Sequence, residues 1–358
     1  MKLFIRPLFL FLAQLLCIGV LLAGCGGSTG GTTPTTNTAG SMTLKVGVVN
    51  KSIFFFPFYV AQQENFIKEQ GLTLDPNPVP LLGSGSKLAS AIEANGIDVA
   101  VGGLTDVFTI SRVDARIKII GAVTNSYLLD VVASKKFEQE AHLTATSPLA
   151  DKVKALVGKK VGISAPNSAS DALLTYLFRQ QGLDAGRDAT KVNLGAAIAP
   201  DLAALKANRV DAVIVSAPGG EQAEADGYGD LYISPVRGDV PTMEGQLFGV
   251  VYAKQNVIDA KPKAMQAFIH AIAQAEAFIQ KNPAQTSVLL GKYLGLNKKV
   301  LDLSWSQTKV SMPLTPQIDQ QAYNTANQFH VKAGLIAVPL AYKDLVDTDT
   351  INKALSGL

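Results

Sequence analysis

From residue 43 onward the apolar and polar positions read as short strands alternating with helices. A strand is predicted over 43–49 and a helix over about 58–70, closed by Gly71. An extended stretch over 72–80 is followed by a helix over 84–94 and a short buried strand over 98–102. Strands over 117–123, 130–135 and 159–164 come next. A helix over 168–181, stopped by Gly182, leads to a strand over 191–195, a helix near 201–207 and a strand over 211–216. This rhythm predicts α/β units around largely parallel sheets. Beyond about 247–254 the pattern turns helical, over 256–280, 284–293, 298–308 and 316–332. That tail cannot build a sheet of its own and is expected to pack back on the first lobe. The organisation expected is one lobe from 43–130 with 247–358 and a second from 131–246, joined by strands crossing at 129–134 and 248–254.

The N-terminal pattern is different. Lys2 and Arg6 precede an apolar run over about 8–22 that ends in Leu22-Ala23-Gly24-Cys25. A basic start, an apolar centre and small residues before a cut site make a secretory signal, and the cysteine makes it a lipoprotein signal. Residues 1–24 are expected to be cleaved and Cys25 to be lipidated. Residues 25–42, mostly Gly, Ser, Thr and Pro, then form a flexible linker. A transmembrane helix is the alternative, but the run is shorter than the roughly 20 residues needed to span hydrocarbon. Several acyl chains, at about 0.8 kcal/mol per buried CH2, would make a durable anchor.

Composition narrows the function. With 47% hydrophobic and 17% charged residues among 358, the chain has material for a large core and for about two domains. Its 2 cysteines are Cys17 and Cys25. The processed chain would therefore have no disulfide and no thiol nucleophile. Net charge is +3, and Lys2 and Arg6 supply two of those positive charges. What remains is too little for a nucleic-acid binder, and no basic cluster could track a phosphate backbone. His142, His270 and His330 lack metal-ligand spacing. Neither a phosphate-binding Gly-x-x-x-x-Gly-Lys loop nor a Gly-x-Ser-x-Gly elbow occurs. No metal, cofactor or catalytic residue is expected.

Five phrases carry a resemblance. They are PFYVAQQENFIKEQGL at 57–72, GSGSKLASAIEANGIDVA at 83–100, LVGKKVGISAPNSASD at 156–171, ALKANRVDAVIVSAP at 204–218, and AFIQKNPAQ at 277–285 with KYLGL at 292–296. In this order they resemble the type II periplasmic binding proteins of ABC importers, in the branch that takes sulfonates, nitrate, taurine and thiamine precursors. Asn65 stands where that family usually has Gly. The resemblance implies an α/β fold of two lobes, each a mixed sheet flanked by helices, hinged by crossing strands. It also implies an extracytoplasmic monomer that captures a small molecule and presents it to a membrane permease with a separate ATPase.

Ligands of open α/β sheets bind outside the carboxyl ends of strands, where helix starts present unpaired N–H groups. Four junctions qualify. Gly83, Ser84, Gly85 and Ser86 offer close backbone approach and hydroxyls, with an ordinary helix cap as the alternative. Asn167, Ser168 and Ala169 begin a helix, where Ser168 and Asp171 fit a capping box. Thr105 could donate to an anion. Asp106 would repel one, and is either a helix-start charge or the partner of an amine or heterocycle N–H. Asn50 and the Phe54–Phe56 run follow the first strand. Those phenylalanines suit a core as well as an aromatic wall, for which Phe55 and Phe56 are the candidates. Asn125, Ser216 and Glu244 complete the set; surface pairing is the other role open to Glu244 and to nearby Arg237. Serine-rich helix starts favour a small organic anion such as an alkanesulfonate or taurine, the leading expectation. The aromatic run and Asp106 favour a pyrimidine-type thiamine precursor or another heterocycle. A tethered sensor is a rival, as is an enzyme: the fold also resembles a eukaryotic pyrimidine synthase, which needs a cysteine-rich iron site, and chorismate dehydratase-like proteins.

Overall fold

The computed structural model describes residues 42–356. The signal, Cys25 and most of the linker lie outside the described residues, and Met42 already belongs to the first strand. Eleven strands are described: β1 (Met42–Leu44), β2 (Val46–Val48), β3 (Leu72–Leu74), β4 (Val99–Gly103), β5 (Ile117–Thr124), β6 (Leu129–Ser134), β7 (Lys160–Ile163), β8 (Thr190–Asn193), β9 (Ala212–Ser216), β10 (Gly229–Ile233) and β11 (Gly249–Lys254). One sheet has the order β2-β4-β11-β5 and another β10-β6-β9-β7-β8, with β1 and β3 forming a small parallel pair. β4, β6, β9 and β11 are buried along their whole length, as expected for strands covered on both faces.

Both large sheets are mixed rather than largely parallel. β2 pairs with β4 in parallel, but β11 lies antiparallel to both β4 and β5. In the other sheet β7 is parallel to β8 and β9, while β6 is antiparallel to β9 and β10. The antiparallel members include the strands that arrive from the other sheet. The outward passage is the short segment 125–128, and the return is 234–248, a loop with a single 3-10 turn at Pro241–Met243. The strands expected to cross thus begin at the crossings and lie wholly within a sheet.

The helical tail packs as its pattern requires. Helix Pro262–Lys281 buries Met265, Phe268, Ile269, Ile272 and Ile279 on one stripe, the spacing of an amphipathic face. Phe268 meets Phe58 of helix Phe56–Gln63 at 5.7 Å between ring centroids. The tail also reaches the other sheet's helices. Phe329, on helix Gln320–Ala333, lies 4.9 Å from Tyr176, on helix Ala169–Gln180. Lys299 Nζ donates to the Ala225 carbonyl at 3.0 Å. The tail thus touches helices beside both large sheets.

Two local differences have clear causes. The helix expected over 58–70 breaks at Asn65, which is left-handed at φ 64°. Among residues with a Cβ, Asn tolerates that conformation well, which explains how it stands where the family has Gly. Helix Gly219–Asp226 and β10 were absent from the predicted elements. The helix carries almost no apolar stripe; its contact with β10 depends on Gly220, where a Cβ would sit 2.5 Å from Leu231.

Candidate functional site

A cavity of about 210 Å³ lies where strands of both sheets end. Gly103 closes β4, Ser216 closes β9, Ser164 follows β7, and Asn50 follows β2 by two residues; all four line it. Its volume falls below the roughly 300–1,000 Å³ usual for drug-sized ligands, so it suits a compact solute.

Two helix starts form opposite walls. Ser84 caps helix Gly85–Glu93, its Oγ accepting from Lys87 N–H at 3.3 Å. Ser168 caps helix Ala169–Gln180, accepting from Asp171 N–H at 3.3 Å. Asp171 reaches back to Asn167 N–H at 2.8 Å and not to the Ser168 N–H of a strict capping box. Many of the hydroxyls here are already engaged. Ser170 Oγ lies 2.9 Å from Ser168 Oγ and 3.0 Å from Ser164 Oγ, and accepts from Ser164 N–H at 2.8 Å. Ser84 and Ser86 Oγ are 3.1 Å apart.

Two carboxyls complete the lining. Asp106 accepts from Gly103 N–H at 2.9 Å. Its carboxyl rests on Gly85, where a Cβ would fall 1.7 Å from Asp106 Oδ1. Gly85, not Gly83, is thus the glycine that close approach requires. Burial raises the Asp106 carboxyl to about 6, against the lowering effect of the Gly103 N–H. Asp201, on helix Ile198–Lys206, is 4% exposed and its Oδ1 has no hydrogen-bond partner. Burial pushes this carboxyl to about 7. Among the described residues, the cavity lining holds no Lys, Arg, His or Cys.

An aromatic chain runs from the cavity into the crossing. Phe54 packs on Phe55 and on Phe248, Phe248 on Tyr127, and Tyr127 on Phe329, with centroid separations of 6.0, 4.6, 4.6 and 5.1 Å. Tyr127 also donates its hydroxyl to the Ala169 carbonyl at 2.6 Å. Asn50 and Ala196 both line the cavity, and Asn50 Nδ2 donates to the Ala196 carbonyl at 2.5 Å.

Of the residues expected at the site, Asn50, Phe55, Ser84, Ser86, Asp106, Asn167, Ser168, Ala169 and Ser216 line this cavity. Five stand away from it. Phe56 is fully buried against Tyr59 and Tyr293. Gly83 turns at φ 79° on the surface beyond the rim. Thr105 is buried with its Oγ1 2.8 Å from His330 Nε2. His330 Nδ1 lies 2.7 Å from the Ala326 carbonyl and must carry the proton there, so Nε2 accepts from Thr105, whose donor is spent. Asn125 sits in the crossing, with its N–H on the Ser311 carbonyl. Glu244 is exposed on the return loop. Residues not anticipated are Asp201, Phe248 and Thr109. Asp201 gave one usable signal, an acid in the first turn of a helix that follows a strand.

The fold is that of the periplasmic binding proteins. A protein of Bordetella bronchiseptica RB50 superposes with a TM-score of 0.73 at 21% identity, over 87% of this chain and 96% of its own. The alkanesulfonate-binding protein SsuA of Xanthomonas axonopodis pv. citri, bound to MOPS, gives 0.65 at 18%, over 85% and 97%. The nitrate-binding protein NrtA of Synechocystis PCC 6803 gives 0.64 at 15%, over 89% of each. YtlA of Bacillus subtilis (strain 168) is 39% identical over 66 residues, a stretch that is 18% of this chain and 19% of YtlA. The NMT1-like family model matches residues 38–290, well over half of the chain, and the chain belongs to that family. No helix among the described residues is long and apolar enough to cross a membrane.

Proposed function

We propose that this protein is the extracytoplasmic solute-binding component of an ABC importer. The observation that carries this reading is a compact cavity, lined by serines, two carboxyls and apolar side chains, between two sheets that the described chain connects at 125–128 and 234–248. Residues 43–130 with 247–358 form one lobe and 131–246 the other. Closing them around a solute is favoured only by the solute's greater affinity for the closed form. A permease then reads that form, and no chemistry is performed on the solute. The sulfonate- and nitrate-binding proteins of the same fold support the transport role, and Leu22-Ala23-Gly24-Cys25 supports a lipid anchor at Cys25.

The ligand is a small organic solute. Ser84, Ser86 and Ser168 at helix starts support an organic anion such as an alkanesulfonate or taurine. Asp106, beside the wall made by Phe54 and Phe55, supports a second reading, a heterocycle with N–H groups such as a pyrimidine-type thiamine precursor. A thermal-shift panel of sulfonates, taurine, nitrate and pyrimidines tests the reading. A specific ligand at about 100 times its Kd adds roughly 2.7 kcal/mol of stability. A flat response across the panel would remove these ligand classes.

A further inference from the structure

The two carboxyls of the cavity have no counterpart in its walls. Glu221 and Glu276 are also buried without a partner, but away from this cavity; Asp171 and Asp98 have cations, Lys191 at 2.6 Å and Lys261 at 2.8 Å. Asp201 has none. Nor is it a helix cap, because helix Ile198–Lys206 begins three residues earlier and Pro200 removes a backbone donor from its first turn. Asp106 uses one oxygen on Gly103 N–H and directs its carboxyl into the cavity from the other lobe. Burial alone lifts Asp201, and burial is also the raising influence on Asp106. Both carboxyls line the same cavity of about 210 Å³, Asp106 from a helix of one sheet and Asp201 from a helix of the other. A buried carboxyl without a partner is costly, and a cationic group supplied from outside would offset that cost. Phe54, Phe55 and Phe248 offer ring faces, which suit a flat body and attract cations.

We propose that this cavity takes a compact organic cation, an amine or amidinium on a flat apolar body, held by Asp201 from one lobe and Asp106 from the other. The inference rests on the cavity being the ligand site of a solute receptor. It replaces the organic anion as the ligand class, since an anion here would meet two acids and no base. Lobe closure is the step that brings the second carboxyl to the ligand, so charge pairing and closure are one event.

The test is calorimetric titration of the full chain with three flat isosteres: benzamidine (cation), benzamide (neutral) and benzoate (anion). At pH 8 benzamidine should bind at least about tenfold more tightly than benzamide, and benzoate should not bind. Lowering the pH to 5 protonates both carboxyls and should weaken benzamidine by at least about tenfold. Asp201→Asn, which keeps the shape, should abolish the preference for benzamidine over benzamide. Benzoate binding that strengthens toward pH 5 would mean that protonated carboxyls donate to an anion, and would overturn the proposal. Benzamidine binding indifferent to pH and to Asp201→Asn would overturn it too. If none of the three binds but a sulfonate or pyrimidine raises Tm, the receptor reading stands and the cation falls; if nothing in either set acts, both fall.

Discussion

Asp201→Asn should make this protein more stable near neutral pH. The carboxyl moves from 3.8 in a free side chain to about 7 in the folded chain because it is buried. At about 1.4 kcal/mol per pH unit, holding it ionised in place costs the fold about 4 kcal/mol. The sign follows from proton binding. Below about pH 4 both folded and unfolded chains carry the proton, and the carboxyl is neutral toward stability. Between about pH 4 and 7 the unfolded chain releases it while the folded chain keeps it, so stability falls as pH rises. Above about pH 7 both are ionised and the loss is complete. Asn cannot ionise and escapes this loss. Urea unfolding of both proteins at intervals from pH 4 to 8 isolates the effect as a difference, free of the other buried acids. The variant's advantage should be small at pH 4, grow to about 4 kcal/mol by pH 8, and flatten there. A difference that stays constant with pH would show that Asp201 titrates normally, and the argument for an unpartnered carboxyl would collapse. A gain in stability coupled to lost binding is the usual relation at a functional site.

Gly85→Ala should displace Asp106, because the new methyl would fall 1.7 Å from its Oδ1; titration should show a loss of ligand affinity, whereas Gly83→Ala, at a surface turn, should cost stability without comparable loss. Thr105→Val leaves His330 Nε2 without its donor inside the core, at a cost of about 1–3 kcal/mol in denaturant unfolding, with ligand affinity unchanged. Asn50→Ala removes a hydrogen bond between the Asn50 and Ala196 sides of the cavity, worth about 1 kcal/mol; small-angle scattering of the free protein should then show a larger radius of gyration. His330, held down to about 4 by burial, takes up its proton only below that value. The unfolded chain takes one up near 6.5, so the contribution of His330 to stability should fall as pH drops from about 6.5 to 4, by about 3 kcal/mol; this is read as the difference between the wild type and His330→Gln in denaturant unfolding, and a difference constant with pH would contradict the assignment.

The local sequence determined what local physics controls. Apolar spacing set the strands and the long amphipathic helix Pro262–Lys281. Ser84 and Ser168 were legible as caps because a hydroxyl beside a helix start satisfies a nearby N–H whatever the rest of the chain does. Four strand-to-helix junctions read from the sequence do contribute to the cavity lining, and the order of five phrases pointed to the fold. Only the tertiary structure decided which side chains at those junctions are free to meet a solute. Thr105 and Asp106 are neighbours in sequence, yet one is consumed by His330, 225 residues away, and the other faces the cavity across Gly85. Phe54 and Phe55 face it while Phe56 turns into the core. Phe248 reaches it from a loop whose own pattern carries no mark of a site, and Asp201 from a helix marked only by its acidic first turn. The reason is physical: helix starts and strand ends are fixed by neighbours a few residues off, but a side chain's partner is fixed by whatever the fold brings within about 3 Å, and that distance has no relation to distance along the chain.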